Sequence, residues 1–156
     1  MIFADELIIL AKAEETYRSD SSPTGAANAI EVCNCSLMGV KVDVLDDDHD
    51  GMGDHQPKLI KGEHCLIQFD VEVAGSGLPD QPPHWDCLAL SCFTTRTDYS
   101  DRVEYVDDDD AAGSCTIYFW HGGLTKKITG VRGDFWVVYG IDGISRLHFE
   151  LFGIWE

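Results

Sequence analysis

From residue 39 onward, apolar and polar residues alternate with a period of two, as β-strands with one buried face do. GVKVDVL (39–45) puts Val40, Val42 and Val44 on one side. HCLIQFDVEV (64–73) puts Cys65, Ile67, Phe69, Val71 and Val73 inside and Gln68, Asp70 and Glu72 outside. WDCLALSCF (85–93) reads as an apolar strand, RVEYV (102–106) as a shorter one, and CTIYFW (115–120) as a central strand apolar on both faces. DFWVVYGI and ISRLHFELFGIW flank Asp142-Gly143, a signal for a two-residue hairpin turn with positive φ at both central residues. That turn would pair Phe135 with Glu150, Val137 with His148 and Tyr139 with Arg146. Trp136 would then face Phe149, and Val138 Leu147, on the core side.

The amino-terminal part reads differently. Residues 4–17, ADELIILAKAEETY, are strong helix formers with Asp5 placed to cap, although LIIL also suits a short strand. RSDSSPTGAAN and GSGLPDQPPH are rich in turn formers and read as a linker and a loop. The expectation is one all-β domain over 1–156, a mostly antiparallel β-sandwich or flattened barrel. A short N-terminal helix and linker would occupy 1–29 and the sandwich 30–156. The expected core is Ile67, Phe69, Val71, Ile117, Phe119, Trp136, Val138, Leu147 and Phe149.

Charge narrows the partners. The 156 residues carry 28 acidic against 11 basic side chains, a formal net charge of −17. Nucleic acid and anionic membranes need a positive field and are not expected to bind. A basic protein, a bound cation or simple solvation of the surface fits better. MIFADELIIL has no basic n-region, and no apolar run is long enough to span a bilayer, so a cytoplasmic setting is the default. The six cysteines, at 33, 35, 65, 87, 92 and 115, mostly fall in apolar runs and read as free buried thiols. Cys33-Asn-Cys35 and His84-Trp-Asp-Cys87 lack the paired spacing of a zinc site.

One stretch carries specific chemistry. DDDHDGMGD (46–54) places Asp46, Asp48 and Asp50 at the first, third and fifth positions of a loop, with Gly51 at the sixth, where a sharp bend is needed. The Met52 carbonyl falls at the seventh position and Asp54 at the ninth. The pattern resembles the calcium loops of thrombospondin type-3 repeats and is similar to the first half of an EF-hand loop. The resemblance covers these nine residues and implies Ca2+ held by Asp46, Asp48, Asp50, Asp54 and Met52. Pro57 stands where an EF-hand has its closing glutamate, so a further ligand would come from elsewhere, such as Glu63 or the Asp107–Asp110 run. The competing reading is a solvated acidic turn. Calcium occupancy would favour an extracellular setting.

No nucleophile elbow, phosphate loop or HExxH motif is present, and His121-Gly122-Gly123 reads equally as a turn. The hairpin register above would place Phe135, Tyr139, Arg146, His148 and Glu150 on one outward face, a mixture of aromatic and polar groups suited to a ligand. Three function classes follow. One is a non-enzymatic binding module for a carbohydrate, another small ligand or a protein. The second is an acidic inhibitor, immunity protein or DNA mimic that neutralises a basic partner, and the third a small enzyme.

Overall fold

The computed structural model describes residues 6–45, 59–121, 124–141 and 143–156. Eight strands and two short helices follow the order β1 (Glu6–Ala13), α1 (Gly25–Asn28), β2 (Ala29–Leu45), β3 (Leu59–Glu72), α2 (Asp86–Leu90), β4 (Thr94–Asp98), β5 (Val103–Asp107), β6 (Cys115–His121), β7 (Leu124–Tyr139) and β8 (Ser145–Trp155). Six strands close into an antiparallel barrel in the order β1-β2-β3-β8-β7-β6, and β4 and β5 form a separate hairpin. The all-β expectation therefore resolves as the barrel.

The period-two pattern explains the interior. Phe69, Phe149, Ile9, Ile30, Ile67, Ile117, Ile128 and Leu151 are fully buried, and these alternating side chains fill the cylinder. Phe69 and Phe149 pack with ring centroids 5.6 Å apart. Removing one such side chain would cost about 2–5 kcal/mol through lost transfer energy and the cavity left behind.

Two elements differ from the sequence expectation. Residues 6–13 form a strand and not part of a helix over 4–17. β1 pairs on one side with β2 (Leu10↔Ala29) and on the other with β6 (Leu10↔Tyr118), so it is the strand that closes the barrel. Two ladders and the burial of Ile9, Leu10 and Ala11 outweigh helix propensities of a few tenths of a kcal/mol per residue. Residues 86–90, expected within a strand, form α2. A short apolar run has no decisive period, and helical spacing brings Leu88, Ala89 and Cys92 together as buried side chains. Leu88 and Cys92 join the barrel core, and the Cys87 thiol donates to the Ala11 carbonyl at 3.4 Å, fixing α2 beside the end of β1.

The β4–β5 hairpin is tied to α2 through one carboxylate. Asp86 accepts from Arg96 Nη1 at 2.6 Å and from the Tyr105 hydroxyl at 2.7 Å, and Tyr105 packs against Trp85 at 5.3 Å.

Candidate functional site

The β7–β8 hairpin determines which side chains reach the outer surface. The Gly140 amide donates to Ile144 O at 3.1 Å and the Gly143 amide to Gly140 O at 3.1 Å, so the loop has three residues rather than two. Gly143 has φ +82, the left-handed conformation with which such loops end. One extra loop residue shifts the register by one and exchanges the two faces of β7 relative to β8. Phe135 pairs with Phe149, Trp136 with His148, Val138 with Arg146 and Tyr139 with Ser145.

The expected ligand face is thereby divided. Arg146, His148 and Glu150 lie on the outer face, opposite Val138, Trp136 and Asp134. Phe135 turns inward and stacks on Phe149 at 5.3 Å. Trp136 and Val138, expected in the core, are 45% and 41% exposed, while Ile67, Phe69, Val71, Ile117, Phe119, Leu147 and Phe149 are buried as expected. Tyr139 shares the face of Phe135 but lies at the end of β7, beyond the packed barrel, and is 82% exposed.

Four residues form a row across the outer face: Cys33 on β2, Asp70 on β3, His148 on β8 and Trp136 on β7. His148 Nδ1 lies 2.5 Å from Asp70 Oδ1. Asn34 Nδ2 donates to the other Asp70 oxygen at 2.7 Å. Asn34 has φ +53 within an irregular stretch of the β2–β3 ladder, which brings its amide round to the carboxylate. The Trp136 ring lies over His148 with centroids 4.6 Å apart. The Cys33 thiol donates to the Asp70 carbonyl at 3.6 Å, and burial together with the Asp70 charge pushes its pKa up. A nucleophilic thiol needs the opposite shift.

Beside this row runs a groove of about 620 Å³, whose lining includes Glu31, Cys33, Asn34, Glu72, His84 and Arg146. Its residues can bind polar groups of either charge. Asp70 was legible as an outward residue, but its pairing with His148 depends on β3 lying beside β8, which no local pattern encodes.

The aspartate loop, with Asp46, Asp48, Asp50, Met52 and Asp54, lies outside the described residues, as does the Glu63 side chain. Of the other suggested ligands, Asp107 ends β5, and Asp108 Oδ1 accepts the Asp110 amide at 3.0 Å. Among the described residues, no group of three or more histidine, cysteine or acidic side chains converges as a metal site, and all six cysteines are free thiols.

The two most exposed large apolar side chains among the described residues, Tyr139 and Ile141, lie at the tip of the β7–β8 hairpin. Val137, Tyr139, Ile141 and Ile144 are exposed there, and Ile141 is fully so. No protein-family model matches the chain, and no curated protein matches it either.

Proposed function

We propose that this chain is a non-enzymatic β-barrel module that docks a basic protein partner. The observation that carries this reading is the hairpin tip, where Val137, Tyr139, Ile141 and Ile144 are exposed on a chain of net charge −17. Contiguous exposed apolar side chains set among polar ones mark interaction surfaces. A strongly negative field speeds encounter with a positive surface and disfavours negative ones. The barrel interior is filled by its own side chains, which favours recognition on the outer surface. The raised pKa of Cys33 weighs against thiol catalysis beside the Asp70–His148 pair. In this reading the aspartate loop is a calcium-holding turn between β2 and β3, supported by the spacing of its carboxylates.

A peptide array of constant length, varied from basic to acidic and from apolar to polar, tests the reading. The wild type should retain basic peptides that contain apolar residues. The double variant Tyr139→Asp, Ile141→Asp should retain them at least about tenfold less well, because about 1.4 kcal/mol corresponds to a factor of ten. Retention that ignores peptide charge, or no retention, overturns it.

A further inference from the structure

Among the described residues, the second half of β7 has a strand ladder on only one side. Its ladder with β6 ends at Cys115↔Val131, whereas its ladder with β8 continues to Tyr139↔Ser145. The bond from the Gly140 amide to Ile144 O makes these two a hydrogen-bonded pair. Such pairs alternate in an antiparallel ladder, so Val138, Trp136 and Asp134 bond to β8. The amides and carbonyls of Gly133, Phe135, Val137 and Tyr139 then point out of the opposite edge. Two of those amides are taken: Gly133 donates to Ser91 O at 3.4 Å, and Phe135 donates to Asp134 Oδ1 at 2.8 Å. The Val137 and Tyr139 amides remain without a protein acceptor among the described residues.

Next to this edge lies a groove of about 530 Å³, with Phe93, Phe135, Trp136 and Val137 among its apolar lining and Asp107, Asp109 and Asp134 among its polar lining. Phe93 has φ +54, a backbone region costly to a residue with a β-carbon. Its carbonyl accepts the Asp108 amide at 2.8 Å, which fixes that conformation. The side chain is nevertheless 43% exposed, so core packing does not account for its placement. Residues held in sparsely populated backbone regions cluster at ligand clamps and active sites.

We propose that the open edge of β7 accepts an extended, lysine- or arginine-rich segment of a protein partner as an added strand. The segment's backbone bonds to Val137 and Tyr139, an apolar side chain packs on Phe93, and its cations face Asp107, Asp109 and Asp134. Strand addition draws affinity from main-chain bonds and specificity from pockets for side chains; the Val137 and Tyr139 amides would supply the first and the groove beside Phe93 the second. The occupant is basic because three carboxylates line the groove and the chain carries a net charge of −17. The proposal rests on the basic-partner reading above and locates its contact.

The test uses a dye-labelled peptide of alternating lysine and valine, followed by fluorescence anisotropy. Three control peptides carry glutamate for lysine, serine for valine, or N-methyl groups along one edge. The wild type should bind only the first peptide, and less well as salt rises. Phe93→Gly should leave the melting temperature equal or higher, because glycine relieves the positive φ, yet weaken binding at least about tenfold. Equal binding of the N-methylated peptide, or unchanged affinity in Phe93→Gly, overturns the edge site. If the tip variant Tyr139→Asp, Ile141→Asp still abolishes that binding, the basic-partner reading survives. No binding of any basic peptide overturns both. Concentration-dependent self-association in sedimentation that Phe93→Gly abolishes makes the occupant a second copy and also overturns the proposal.

Discussion

Glu14 and Gly130 are joined across the barrel wall: the Gly130 amide donates to Glu14 Oε1 at 2.8 Å. The same oxygen accepts from Thr116 Oγ1 at 2.8 Å, while Oε2 accepts from Ser114 Oγ at 2.6 Å and the Arg18 amide at 2.9 Å. One carboxylate thus fastens the segment after β1 to both β6 and β7. Gly130 has φ +61, and a β-carbon there would lie 2.8 Å from Arg18 Cγ, so this strand crossing also requires glycine.

Glu14→Gln should therefore lower stability although it changes little in size. The amide keeps one acceptor and turns donors towards donors, and hydrogen bonds to a charged group contribute about 1.5–3 kcal/mol each. A loss of about 2 kcal/mol or more in urea unfolding is expected. A change below about 0.5 kcal/mol would show that these bonds add nothing beyond solvation.

The buried thiols predict sensitivity to alkali. Burial pushes Cys65 up to about 11 and Cys92 up to about 12, and holds Cys115 well above the ordinary thiol range. An unfolded thiol ionises near about 8.5. Above that value the unfolded chain releases protons that the folded chain retains. The stabilisation is fully present below the unfolded pKa and is lost as pH rises through the folded values. Urea midpoints should fall steadily above about pH 8.5, and Cys92→Ala should flatten that slope even if it lowers stability overall. A flat profile up to about pH 10 would contradict this account. In denaturant, a thiol reagent should titrate close to all six cysteines.

Calcium should stabilise the chain if DDDHDGMGD is a cation loop. Carboxylates crowded into one turn repel, and a bound cation turns that repulsion into attraction. Mass action then gives about 2.7 kcal/mol at a hundredfold excess over the dissociation constant. Asp48→Ala should abolish the gain and cost little in its absence. Identical melting with millimolar calcium and with chelator would leave the loop an acidic turn.

Strict alternation was legible where side chains can be compared, whereas the side chains of Val40, Val42 and Val44 lie outside the described residues. In HCLIQFDVEV, Cys65, Ile67, Phe69 and Val71 are buried on the expected face, and only Val73, just past the end of β3, is exposed. ELIILAKA was ambiguous because its apolar residues satisfy both periods. Its pairing with β6, about a hundred residues away, decides the matter, and local sequence carries no trace of that. The hairpin register failed for a narrower reason. Asp-Gly serves a two-residue turn and equally a three-residue loop ending in left-handed Gly143, and the two differ by one residue of register. That single residue carried Trp136 from the core to His148 and Phe135 from the surface to Phe149.

The strand that closes the barrel is also the first of its six strands to be made. Leu10 pairs with Tyr118, so β1 must wait for more than a hundred further residues to leave the ribosome before its second ladder can form. Until then the nascent chain offers the open side of β1, with Ile9 and Ala11 not yet enclosed, to whatever surrounds it. Contacts so distant in sequence slow folding, because the intervening loop must be closed before they repay its entropy. A chain stalled before Cys115 has every strand of the β1-β2-β3 sheet and no means of closing it. Such a chain exposes apolar surface of the kind that chaperones bind, and closure waits for β6, β7 and β8.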